Sequence, residues 1–215
     1  MMTPLAARCR HLRAWCFLFV AASGFAAPPA HAAPIAQEKD GLVIMEAEDT
    51  PSKLGDWVKK KDVKGFGGEC HLEFTGNKPE TGPAKSPLKY AFKVTQAGKY
   101  SLLIRAHKRL ESERQDISND CYVALEGDFT SGGAAPLEVL KKDTKLFGGD
   151  AKGWGWATTL DVDHKKYPAV YELKAGKTYI LTLSGRSKNF NIDTIYFAHE
   201  SLDAKKVMRE QHKAE

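Results

Sequence analysis

The chain has 215 residues, 42% of them hydrophobic and 27% charged, with a formal net charge of +5. The first 32 residues hold three arginines and no acids, so the remainder carries only +2, which leaves no electrostatic case for a nucleic-acid partner. About 183 residues remain, enough for one domain that buries roughly 70% of its unfolded surface, and no second core is required.

Residues 1–32 read as a secretory signal peptide. Arg8, Arg10 and Arg13 precede an apolar run from Ala14 to Ala27 that is too short to span a bilayer, and Ala30-His31-Ala32 has the small-x-small pattern of a cleavage point. The mature chain is therefore expected to be secreted or periplasmic, without membrane insertion. Residues 33–40 read as a Pro- and Ala-rich linker, and residues 41–199 as the folded domain. Cys70 and Cys121 each open an alternating run, so both thiols should face the core, either as a disulfide permitted by export or as a buried reduced pair.

The first strand-like run, Leu42 to Glu48, places Glu46 and Glu48 on one face while Met45 and Ala47 point the other way. Two adjacent carboxylates fit either a solvated strand face or a hard cation. Trp57 to Lys60 and Cys70 to Phe74 follow. Leu88 to Val94 alternates cleanly and turns at Ala97-Gly98-Lys99 into Tyr100 to His107, the pattern of a hairpin. Lys108 to Asp120 is a charged, solvated connection to Cys121–Leu125, and Glu126 to Gly153 is Gly-rich and irregular.

Trp154 to Val162, Val170 to Leu173, Tyr179 to Ser184 and Ile192 to Ala198 complete the strand set. About ten short strands with tight turns predict an all-β fold, an antiparallel β-sandwich of jelly-roll type. Residues 200–215 change to a polar composition that predicts a short helical or disordered tail.

Catalytic signals are poor. There is no nucleophile elbow, no zinc-binding His-Glu-x-x-His and no phosphate-cradling glycine loop. Glu46 with Glu48 can be drawn as a glycosidase pair, but carboxylates on one strand face belong more naturally to a cation site. The expectation is a chain that is not an enzyme.

Taken in order, Ile44-Met45-Glu46-Ala47-Glu48-Asp49, Gly67-Gly68-Glu69-Cys70-His71-Leu72-Glu73-Phe74, Ala97-Gly98-Lys99-Tyr100, Asn119-Asp120, Trp154-Gly155-Trp156, Leu173-Lys174-Ala175-Gly176 and Asn191-Ile192-Asp193-Thr194-Ile195 resemble carbohydrate-binding modules of families 6 and 35. The likeness runs from Leu42 to Phe197. It implies a structural Ca²⁺ held by Glu46, Glu48 and Asp193, with the loop around Lys64 to Gly68 supplying carbonyls.

It also implies attachment to a polysaccharide or glycoconjugate through aromatic stacking and an amide, and the chain is expected to be a monomer. Trp154, next to the loop, is the better platform, and Trp156 reads equally as core. Asn191 is the amide, with Asn189 in its place if the register is off by two, and Asn119 resembles the family's Asn-Asp pair. Two alternatives stand beside this reading: a glycan-active hydrolase or esterase on the same fold, and a structural surface protein without sugar binding.

Overall fold

The computed structural model describes Met1 and residues 35–213; the expected signal peptide and its cleavage point lie outside the described residues. The chain runs through β1 (Ala36–Gln37), β2 (Leu42–Glu46), β3 (Trp57–Lys60), β4 (His71–Phe74), β5 (Lys85–Lys93), β6 (Gly98–Lys108) and β7 (Asp120–Glu126). Next come β8 (Thr130–Ser131), helix α1 (Leu137–Leu140), β9 (Thr144–Gly148), β10 (Gly155–Val162), β11 (Lys165–Pro168) and β12 (Val170–Leu173). It ends with β13 (Thr178–Gly185), β14 (Phe190–His199) and helix α2 (Ala204–Lys213).

Hydrogen bonding joins the strands into one curled sheet that folds over its own core. One layer runs β1-β5-β13-β7-β9 and the other is built on β6-β14-β4-β3, with β2 also against β14 and β12 against β6. Successive strands alternate between layers, β5 to β6, β6 to β7, β12 to β13 and β13 to β14, which is jelly-roll winding. All named pairings are antiparallel except β1 with β5. The predicted antiparallel sandwich is the fold of the described residues.

Period-2 alternation explains the core. Leu88, Tyr90 and Phe92 of β5 and Leu102, Ile104 and Ala106 of β6 are buried from opposite layers. The Phe92 and Phe197 rings stack across the gap at 4.3 Å, and the Tyr90 hydroxyl donates to the Ala47 carbonyl at 2.7 Å. Strand β10 closes one side: Gly155–Ala157 pair with β6, then after a register shift Thr159–Asp161 pair with β9. At this corner Gly148 has φ 149°, and a Cβ there would lie 2.2 Å from the Trp156 carbonyl oxygen, so the crossing requires glycine.

Three sequence expectations change. β5 and β6 do not form a hairpin: Gly98 turns the chain over to the other layer, where β6 finds β14, β10 and β12. Residues 33–40 are not wholly a linker, because β1 pairs with β5. Glu38 beside it is buried and accepts hydrogen bonds from Gly41, Thr95, Gln96 and Tyr100. The irregular stretch after Glu126 contains β8, α1 and β9, anchored by buried Phe129, Val139, Leu140 and Leu146.

The polar tail forms α2, whose Val207 and Met208 pack with Leu103, Tyr196 and Trp156 in a second small cluster on the outer face of the sheet. Cys70 and Cys121 are buried as expected, as free thiols.

Candidate functional site

Strand β14 takes β2 and β4 end to end on one edge. Thr194–Ala198 pair with Glu46–Leu42, and Asn191–Ile192 pair with Glu73–Leu72. Asp193 falls at the junction, where the register of β14 against β6 also shifts. That irregularity brings acids from β2 and β14 together. The Thr194 hydroxyl lies 3.0 Å from Glu46 Oε2 and 3.1 Å from Asp193 Oδ2. Glu48 sits beyond the end of β2, in a turn, yet faces the same loop: its Oε1 accepts from the N–H groups of Glu69 at 2.6 Å and Cys70 at 3.1 Å.

The loop around Lys64 to Gly68 lies against these acids. It presents N–H groups: Gly67 N donates to Asp193 Oδ1 at 3.0 Å, while the Lys64 carbonyl accepts from Trp154 Nε1 at 3.0 Å. Gly67 and Gly68 let the backbone press this close, since a Cβ on Gly68 would meet Glu48 Oε1 at 2.4 Å. The Arg105 guanidinium, reaching across from β6, donates to Asp193 Oδ2 at 2.6 Å, with both side chains buried.

Burial and like charges act together on this cluster. Burial first, then Asp193, Glu48 and Asp49, push the Glu46 carboxyl up to about 7 against the lowering effect of Thr194. Burial likewise raises Asp193, with Arg105 opposing. Two features fit a hard cation here: Glu46 is short of positive charge, and Glu48 Oε2 is buried without a hydrogen-bond partner. Asp193 fits less well, because Arg105 and Gly67 already engage its two oxygens. Among the described residues no group of three or more His, Cys, Asp or Glu is arranged to hold a metal ion.

The residues expected to touch a sugar lie near one end of the sandwich, but most are covered. Trp154 is 4% exposed, which corrects its reading as an open platform. Its ring has Arg105 over it at 5.3 Å, with His71 and His107 edge-on at 5.2 and 6.0 Å. Asn191 is fully buried; its amide donates to the carbonyls of Asn189 at 2.9 Å and His107 at 3.4 Å. Asn189 is also buried and adopts φ 67°, a turn role, with its N–H on the Phe74 carbonyl. The Asn119 carbonyl accepts from Gly148 N and so fixes the start of the 148–154 loop. Trp156 is half-buried on the outer face, its ring edge-on to Tyr196 at 5.4 Å.

Beside this framework opens a cavity of about 620 Å³ between the 108–115 and 149–152 segments, lined by His107, Lys108, Arg109, Gln115, Asp150 and Lys152. His107 Nδ1 is 2.8 Å from the Gly153 carbonyl, which ties the cavity wall to the Trp154 loop. Arg109 is held by Glu73 at 2.6 Å and Asp62 at 2.9 Å, and Asp62 also lies 3.3 Å from buried His71, whose pKa is lowered chiefly by burial. The sequence reading did not find this charged framework. Its one legible signal is that Arg105 and His107 alternate with core residues of β6, so charge faces the side of the sheet where Glu73 and Asp193 also point.

No protein-family model and no curated protein matches the chain. Solved structures do. The chain is similar to carbohydrate-binding modules. A family 35 module from Clostridium thermocellum matches 73% of this chain and 96% of its own at 15% identity, with a TM-score of 0.43. The CBM35 of Abf62 from Cellvibrio japonicus matches 73% and 92% at 14% identity and TM-score 0.43. The GH26-CBM35 β-(1,4)-mannanase of Podospora anserina matches 77% of this chain at 13% identity and TM-score 0.48, and the match spans 29% of the mannanase's length.

Proposed function

We propose that the chain is an exported, non-catalytic carbohydrate-binding module that attaches to a polysaccharide or glycoconjugate at the loop end of the sandwich, stabilised by calcium. One observation carries the reading: residues assigned to a sugar site from distant stretches of sequence, Asn119, Trp154, Asn189 and Asn191, come to one end of the fold beside an open polar cavity. Trp154, Asn189 and Asn191 are buried and Asn119 is half-buried, so they frame the site. The groups left to meet hydroxyls are Lys108, Arg109, Gln115 and Lys152, which supply donors and an amide.

Calcium belongs with Glu46 and Glu48 in this reading. The unpartnered Glu48 Oε2 and the raised Glu46 support it, and the ion would supply the positive charge that Glu46 lacks. The monomeric state is part of the same proposal. Among the described residues no helix is long and apolar enough to cross a membrane.

The test uses side chains that frame nothing. Gln115 and Lys152 are exposed, so Gln115→Ala with Lys152→Ala should leave the melting temperature unchanged and weaken glycan retention in affinity electrophoresis by about tenfold, the loss of roughly 1.4 kcal/mol. Unaltered retention would remove the site from this cavity.

A further inference from the structure

Helix α2 does more than cover apolar surface. Val207, with Ala204 and Leu202 beside it, packs onto Leu103, Tyr196 and Ala198. Lys205, Met208 and Arg209, spaced three and four apart, lie on one adjoining stripe of the helix. That stripe lines a shallow groove of about 410 Å³ together with Trp156 and the largely buried Trp154. The volume lies within the roughly 300–1,000 Å³ usual for small-ligand sites.

The groove pairs an indole with two exposed cations. Trp156 is half-buried and keeps apolar surface open to solvent. Lys205 is exposed, and Arg209 has a distant partner, Asp203 at 3.9 Å, with side-chain exposures of 64% and 61%. An exposed pair at that range contributes roughly 0–1 kcal/mol, so a ligand anion can replace it. A guanidinium binds a planar or tetrahedral oxyanion through parallel N–H donors, and an indole takes the apolar face of a ring.

We infer that this groove is a second ligand site, separate from the loop-end cavity, and that it binds an anionic sugar: the pyranose against Trp156, its carboxylate or sulfate on Lys205 and Arg209. This rests on the reading of the chain as a glycan-binding module and adds a surface built by the C-terminal helix.

The experiment is affinity electrophoresis of the full chain in polygalacturonate, in dextran sulfate and in neutral dextran. Three proteins are compared: wild type, Lys205→Glu with Arg209→Glu, and a charge-matched control, Lys141→Glu with Lys177→Glu, on exposed residues elsewhere. Wild type and control should be retarded by at least one polyanion, and the helix variant should lose about tenfold in affinity for it with an unchanged melting temperature. The polymer that retards identifies carboxylate or sulfate.

Equal loss in helix variant and control would mean general charge attraction and overturn the site, as would no retardation of wild type by either polyanion. The Gln115→Ala, Lys152→Ala variant, run alongside, separates the two sites. If it alone loses binding, the groove proposal fails while the loop-end reading stands.

Discussion

Glu46 is the residue on which the charge arrangement turns. Its carboxyl stands at about 7 in the folded chain against an ordinary 4.5, so folding takes up a proton between those values. The stabilisation is complete below about pH 4.5 and is lost as pH rises through about 7. Without metal, the melting temperature should fall from about pH 5 to pH 8, and Glu46→Gln, which imitates the protonated form, should flatten that fall. Parallel pH profiles for the two proteins would contradict the raised carboxyl. Calcium favours the ionised form, so its effect on the melting temperature should be largest above pH 7.

The pairing of Glu46 with Asp193 was legible in the sequence through the family resemblance. The role of Arg105 was not, because nothing local marks which outward charge on β6 lies opposite the irregularity in β14. Trp154 shows the converse limit. Its position beside a glycine loop suggested exposure, whereas its ring is enclosed by Arg105 and His107 of β6 and His71 of β4. Cover supplied by distant segments leaves no trace in local periodicity.

At the level of elements, strand identity was legible wherever apolar residues alternated, as in Leu88 to Val94 and Tyr100 to His107. Strand partnership was not. Alternation fixes which face is buried but not which neighbour is hydrogen-bonded, so β5 and β6 read as a hairpin and are instead a crossing between layers. The same reason hid β9 within a Gly-rich stretch, where Leu146 is the one fully buried anchor of the strand.

Helix α2 was half legible: its polar composition predicted a tail, and Ala204, Val207 and Met208 hold it to the sheet among Leu103, Tyr196 and Trp156. Ending the chain at Ser201 should expose those three side chains, lower the melting temperature by a few degrees and shift tryptophan emission to the red. Each kcal/mol lost should lower the midpoint by about 2–4 °C for a domain of this size. Identical melting and emission would mean that the helix does not pack in solution.

The whole molecule is a jelly-roll sandwich whose first and last principal strands meet at an acid cluster and whose loops meet at a polar cavity. Under the proposed function, this division separates stability from recognition. The cluster at Glu46, Glu48 and Asp193 joins the ends of the domain, while the cavity at Lys108 to Lys152 and the groove beside α2 face solvent. The central claim is that the molecule holds glycan without cleaving it.

The most direct measurement is a panel of soluble and insoluble polysaccharides incubated with the full chain, recording both the protein bound and the reducing ends released. The account predicts retention on at least one polysaccharide, weakened at the melting temperature of the calcium-free protein, with no reducing ends above the protein-free control. Release of reducing ends, or absence of retention across the panel, would contradict it.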